Sequence, residues 1–160
     1  MTQFRPCIDL HEGKVKQIVG GSLNNSGAET NFVSQYSADH YAKLYKQQHL
    51  KGGHVISLGA NNKQQVLAAL SAYPNGLQYG GGVNADNARE FLDAGASHLI
   101  VTSYLFENGQ FSWSRLDAIK SVVGAQRLVL DLSCRKTNNG WMIATDRWQT
   151  VTNTAITQQT

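Results

Sequence analysis

Phe4-Arg5-Pro6-Cys7-Ile8-Asp9-Leu10-His11-Glu12-Gly13-Lys14-Val15-Lys16-Gln17-Ile18-Val19-Gly20-Gly21 sets the reading of the whole chain. The apolar pair Cys7-Ile8 leads into a single carboxylate, Asp9, and then into a polar turn ending at Gly13. Beyond it, the alternation Val15/Gln17/Val19 predicts that the chain doubles back as a second short extended segment. A carboxylate at the C-terminal end of a buried strand is unfavourable unless something there uses it. In barrels and open α/β sheets, that strand end faces the ligand. An Asp that only caps the following turn is the plainer alternative for Asp9 taken alone. A companion far along the chain weighs against it: Leu128-Val129-Leu130-Asp131-Leu132-Ser133 is again an apolar strand ending in one Asp. Two carboxylates that end βα-type strands can face each other across a barrel mouth, one ionised as base and one protonated as acid.

The bulk numbers bound the class. At 160 residues the chain is long enough for one domain with a sizeable core and too short for two ordinary ones. Fourteen basic residues against 11 acidic ones give a net charge of only +3. Lys14, Lys16, Lys43, Lys46, Lys51 and Lys63 are scattered, with no basic stripe among aromatics, so nucleic acid is not the expected partner. A few cations around an anionic small molecule fit better. The two cysteines, Cys7 and Cys134, lack C-x-x-C spacing, so neither a zinc site nor a disulfide framework is indicated. The N-terminus lacks an apolar core of signal-peptide length, and no apolar run approaches a membrane span. The expectation is a soluble protein of a reducing, cytoplasmic compartment.

Strand and helix signals then alternate. Residues 22–35 are small and polar without periodicity and read as a long loop. Ser37 reads as the N-cap of a helix running to about His49, with Tyr41, Leu44 and Tyr45 on its apolar face. His54 to Leu58 is a second strand, followed by a helix that turns Val66, Leu67 and Leu70 inward. Leu77-Gln78-Tyr79 is a third strand, and Asn84 reads as the cap of a helix carrying Ala88, Phe91 and Leu92. His98 to Ser103 is strand four, and Trp113 to Val123 is a helix stopped by Gly124. Strand five ends at Asp131, and Lys136 to Trp141 reads as an Asn-Gly hairpin. Such alternation means βαβ units and a parallel sheet. The chain holds about five strands and four helices, where a closed (βα)8 barrel takes eight of each in ~250 residues. The domain reading is therefore an incomplete barrel over residues 1–151, with 152–160 a polar, frayed tail.

Gly80-Gly81-Gly82 falls between a strand and a helix. Consecutive glycines there let backbone N–H groups approach an anion at a helix start, although glycines also serve tight turns. Thr102-Ser103 ends the neighbouring strand and would lie beside them, adding hydroxyls to a phosphate cradle.

Taken in order, Cys7-Ile8-Asp9-Leu10, Gly13-Lys14-Val15, His54-Val55, Gln78-Tyr79-Gly80-Gly81-Gly82-Val83, Val101-Thr102-Ser103, Asp131 and Arg147-Trp148-Gln149-Thr150 form one ordered set. This set resembles the histidine-biosynthesis isomerases that act on phosphoribosylformimino-aminoimidazole carboxamide ribotide, in particular their fungal and plant branch. The resemblance implies a (βα)8 barrel without metal or organic cofactor that converts an aminoaldose to an aminoketose by Amadori rearrangement. It implies that Asp131 is the general acid opening the ribose ring and Asp9 the general base removing the C2 proton. It places Gly81, Gly82 and Ser103 at one of two phosphate sites, Trp148 on a loop that stacks on the substrate, and His54 near the site. His54 alone reads more readily as a structural strand residue, so the resemblance carries its assignment. Gln17 stands where many bacterial members have Arg, and Ser57 where they have Asp. If Gln17 points inward, Lys16 points to the opposite face. The last strands of the family barrel, with its second phosphate site, have no counterpart here.

Three other readings stand beside the isomerase. A non-catalytic half-barrel would expose the edges of strands one and five and self-associate. The sister cyclase of the pathway carries a catalytic Lys at the position of Gln17, which argues against it. An unrelated phosphosugar barrel shares the fold without the chemistry.

Overall fold

A computed structural model describes residues 2–19, 29–138, 140–145 and 150–157 of the chain. In chain order, its first half holds β1 (Cys7–His11), β2 (Lys14–Ile18), β3 (Thr30–Val33), α1 (Ala38–Gln47), β4 (Gly53–Leu58), α2 (Lys63–Ala72) and β5 (Leu77–Gly80). The second half holds α3 (Ala88–Asp93), β6 (Leu99–Val101), β7 (Phe106–Glu107), β8 (Gln110–Phe111), α4 (Trp113–Val123), β9 (Leu128–Leu130), β10 (Cys134–Thr137), β11 (Gly140–Thr145) and β12 (Thr150–Ala155).

Seven strands form one sheet in the order β3-β2-β1-β4-β5-β6-β9. Within it β1, β4, β5, β6 and β9 are parallel, and α1, α2, α3 and α4 lie between them in sequence. These are the five strands and four helices that the alternating pattern predicts, in the order of successive βα units. Period-two burial decides which face the helices cover. Ile8, Leu10, Val55, Leu77, Tyr79, Leu99 and Val101 are buried on one side, packed in one core with Ala42, Val66, Leu70, Phe91, Leu92 and Ile119 of the helices. Tyr79 and Phe91 meet with ring centroids 4.3 Å apart. Their strand neighbours Asp9, His54, Ile56, Gln78, Ile100 and Val129 alternate to the other face and are only half-buried.

Several expectations are corrected. The loop assigned to residues 22–35 contains β3, which pairs antiparallel with β2 through Lys16↔Val33 and Gln17↔Phe32; residues 22–28 lie outside the described residues. The tail assigned to 152–160 begins inside β12, which pairs with β11 through Ala144↔Val151 and Met142↔Ala155, so the boundary at 151 cuts a strand. Thr152 is 5% exposed, and its hydroxyl donates to the Ile143 carbonyl, which is how a polar strand satisfies its buried side. Strand four is shorter than expected, giving way at Ser103–Leu105 to a 3-10 turn. The β7–β8 hairpin was not anticipated. The free edge expected on strand one is covered at its C-terminal end, where Leu10 and His11 pair with Val15 and Lys14 of β2.

Candidate active site

The strand register carries the two carboxylates to one face. Asp9 lies opposite Ile56, Ile56 opposite Gly80, Gly80 opposite Ile100, and Ile100 opposite Val129. Asp131 follows two residues after Val129, and its N–H donates to the Val101 carbonyl, which extends the β6–β9 ladder by one rung. By alternation Asp131 is therefore on the Asp9 face, turned away from the helices. The two strands are first and fifth in the parallel series. Four spacings of about 4.8 Å put them ~19 Å apart along the sheet, less across its curve.

Around Asp9 the geometry is specific. The Cys7 thiol donates to Asp9 Oδ1 at 2.9 Å. Desolvation of the sulfur, and then the adjoining Asp9 carboxylate, push the Cys7 thiol well above the ordinary thiol range. His54 pairs with Cys7 on one side and Gln78 on the other, which places it on the Asp9 face one step nearer the N-terminal end of the sheet.

Gln17 is not brought to Asp9. Val15 opposes Leu10 in the β1–β2 pair, so Val15 and, two residues on, Gln17 belong to Leu10's side of the sheet. Gln17 is exposed and pairs with Phe32. Lys16 takes the Asp9 side instead: its Nζ lies 3.2 Å from His11 Nδ1 and 2.6 Å from Glu12 Oε2. That hydrogen bond to Lys16 holds the Glu12 carboxyl below its usual range. The reason is the turn. Glu12 and Gly13 both have positive φ (53° and 74°), so a two-residue turn joins the strands and fixes a register that sequence alternation alone does not reveal.

The glycine turn at the end of β5 is tightly specified. Gly81 has φ of +134°, and a Cβ there would come within 2.6 Å of the Ser57 Cβ and carbonyl oxygen. Gly82 is also left-handed, at +65°, but faces open space. Tyr79 donates its hydroxyl proton to the Gly81 carbonyl at 2.9 Å, and Asn87 Nδ2 donates to the Gly82 carbonyl at 3.0 Å. Asn84 Oδ1 accepts from the N–H groups of Asp86 and Asn87, so Asn84 caps the turn leading into α3. Since Gly80 pairs with Ile100, Thr102 and Ser103 emerge alongside Gly82; both are exposed. Trp148, with Arg147 and Gln149, lies outside the described residues.

Sequence reasoning also missed Asn62, which is 2% exposed. Its Oδ1 accepts the Gly13 N–H at 2.8 Å, while Nδ2 faces Ser57 Oγ, Leu58 O and Gly59 O at 3.1, 3.0 and 3.3 Å. One side chain thus ties the turn beyond Asp9 to the loop beyond β4. A cleft of about 430 Å³ is bounded by Gly13, Lys14, Ser34, Tyr36 and Gln65; it includes the Gly13-Lys14-Val15 motif but not Asp9, Asp131 or the Gly81-Gly82 turn. Among the described residues, no three His, Cys, Asp or Glu side chains converge to hold a metal ion, and no helix is long and apolar enough to cross a membrane.

Comparison with known proteins gives the lineage. The family described as "Histidine biosynthesis protein" matches residues 3–160. The chain is 55% identical over 162 residues to the 1-(5-phosphoribosyl)-5-((5-phosphoribosylamino)methylideneamino) imidazole-4-carboxamide isomerase HISN3, chloroplastic, of Medicago truncatula, covering 96% of this chain and 52% of that protein. It is 50% identical over 164 residues to the isomerase of the same name, without the HISN3 and chloroplastic labels, from Neurospora crassa, covering 99% of this chain and 64% of that one. The Saccharomyces cerevisiae protein of that name is 48% identical over 165 residues, covering 100% of this chain and 63% of its own. The chain therefore spans between about half and two-thirds of the relatives it matches. With an ordered match along nearly its whole length, and with the βα series in place, the chain belongs to the histidine biosynthesis protein family.

Proposed function

We propose that this chain carries the acid, the base and one phosphate cradle of an aminoaldose-to-aminoketose isomerase of histidine biosynthesis. The substrate is a bis-phosphorylated imidazole carboxamide ribonucleotide of the kind in the relatives' names. The observation that carries the reading is the shared sheet face of Asp9 and Asp131, at strands one and five, with the glycine turn between them. Asp131, entering as the neutral acid, protonates the ribose ring oxygen as the C1–O bond breaks and nitrogen donates its lone pair, giving an open-chain iminium. Asp9, entering ionised, removes the C2 proton and leaves an enolamine, which tautomerises to the ketose. Gly81, Gly82, Thr102 and Ser103 would hold one phosphate through amides and hydroxyls. His54 and Lys16 flank the base, and Trp148, by its place in the family motif, would stack on the substrate. A location in the cytoplasm accompanies this reading, although one relative is named as chloroplastic.

General acid–base groups contribute about 10²- to 10⁴-fold each. Asp9→Asn or Asp131→Asn, in a chain extended to the full family length, should each lower turnover of the aminoaldose by at least about 100-fold. Near-normal turnover in either variant removes the two-carboxylate mechanism.

A second reading has its own observation. Beyond β9 no further strand of the main sheet follows among the described residues, and Leu130 at that edge is 40% exposed. An open parallel edge recruits another strand, so the chain alone would act as a phosphate-binding half-barrel that pairs with a second copy. A concentration-independent monomer mass in solution would contradict it.

A further inference from the structure

We infer that Cys7 is a positioning residue for Asp9: its thiol proton engages Oδ1 and leaves Oδ2 as the oxygen presented to substrate. The inference rests on Asp9 being the base. Three observations lead to it. Cys7 and Asp9 are two residues apart on one strand, so both side chains must stand on the same face of a rigid element. Their contact, Sγ to Oδ1 at 2.9 Å, is at hydrogen-bond distance, and the thiol is the partner with a proton to give. Cys7 also stands on the face that carries the carboxylates, with its residue surface exposed while the sulfur itself is largely shielded from solvent against Asp9.

The neighbours narrow the possibilities. His54 faces Cys7 from β4, and Lys16 lies on the same side from β2, hydrogen-bonded to His11 and Glu12. The Tyr45 hydroxyl from α1 donates to the Cys7 carbonyl at 3.4 Å, and the Arg5 side chain lies along Gly52 before β4. Asp9 is the ionisable group that meets the sulfur itself. A donor to one oxygen of a carboxylate restricts its rotation, so the base enters the reaction aimed. After burial of the sulfur, the carboxylate that accepts the bond is what keeps the thiol from ionising. Cys7 is then an inert cysteine as long as Asp9 is charged, which separates this role from that of a packing residue.

The test needs no turnover. In a Cys134→Ser background, so that one thiol remains, the rate of alkylation by iodoacetamide is followed as a function of pH with Asp9 intact and with Asp9→Asn. Expected is a fall of about one unit or more in the midpoint of the Asp9→Asn protein, seen as a rise of about tenfold in alkylation rate near pH 9. Asp9→Ala serves as a second variant should the Asn form not fold. A midpoint that moves by less than about a third of a unit in the folded variant overturns the inference, since burial alone would then hold the thiol. A second readout follows in the full-length enzyme: Cys7→Ala should lower kcat with KM little changed, and Cys7→Ser should restore part of the lost kcat. An active Asp9→Asn enzyme would instead sink the assignment of the base while leaving the thiol result standing, so the two failures are distinguishable.

Discussion

Replacing Asn62 tests whether one buried amide holds the Asp9 end of β1 in place. In Asn62→Ala the Gly13 N–H loses its acceptor, and Ser57 Oγ, Leu58 O and Gly59 O lose a donor. A net hydrogen bond contributes about 0.5–1.5 kcal/mol, and a buried group left unpaired costs ~1–3 kcal/mol. The four contacts share one side chain and one is long, so their sum is not additive. The expected loss is therefore about 3 kcal/mol, or a fall of ~6–12 °C in Tm for a chain of this size. Asn62→Asp discriminates further. It keeps an acceptor for Gly13 but turns a second oxygen toward two carbonyls, so the ionised form should be worse than alanine. Its folded-state carboxyl would be raised above the unfolded value of ~3.9, so stability is greatest below that pH and falls as pH rises through the raised pKa. Urea unfolding of both variants at about pH 4 and pH 7 is the assay. A loss under about 1 kcal/mol for Asn62→Ala, or an Asp variant no worse than Ala at neutral pH, would falsify the account of this linkage.

Three further outcomes follow from the same geometry. Gly81→Ala must place a methyl group against Ser57 at positive φ and should cost about 3 kcal/mol, whereas Gly82→Ala meets open space and should cost ~1 kcal/mol; equal losses in thermal unfolding would refute the distinction. Both should weaken binding of inorganic phosphate followed by amide chemical shifts, and unchanged binding in both would remove the cradle. The Asp39 carboxyl is held down to about 2 by its hydrogen bonds from Lys43 and then Ser37. A depressed folded pKa contributes stability above the unfolded value near 3.9 that is lost as pH falls toward 2. Asp39→Asn should therefore flatten the acid side of the stability profile slightly, and more weakly in high salt, because the pair is at the surface.

The parts of the fold legible in the sequence are those where burial is one-sided and strong. Ile8/Leu10, Leu77/Tyr79 and Leu99/Val101 alternate against the helices, and that alternation is the signal from which strands are read. Strands β3 and β12 escape because they bury little: β3 is exposed along its whole length, and β12 is Thr-Val-Thr-Asn-Thr-Ala with a single buried Thr152. Such strands exist through ladder pairing with a neighbour, which leaves no periodic trace. The β7–β8 hairpin did leave one. Asn108 and Gly109 both have positive φ, as a two-residue hairpin turn requires, and the Asn-Gly pair was there to be read. In the candidate site, Asp9 and Asp131 follow from strand ends and alternation, whereas His54 follows only from the family resemblance. The exchange of Gln17 for Lys16 does not, because one residue of turn length decides the face. Asn62 was hidden for a different reason: a polar side chain in a loop signals burial only once its partners are placed.

Complementation tests the central claim most directly. Residues 1–160 would be joined to the C-terminal remainder of the Medicago truncatula relative and expressed in a microbe that lacks the isomerase, on medium without histidine. The unaltered hybrid should support growth, and the same hybrid with Asp9→Asn or Asp131→Asn should not. Growth of either variant, or no growth of a soluble unaltered hybrid, would contradict the assignment of acid and base to this chain.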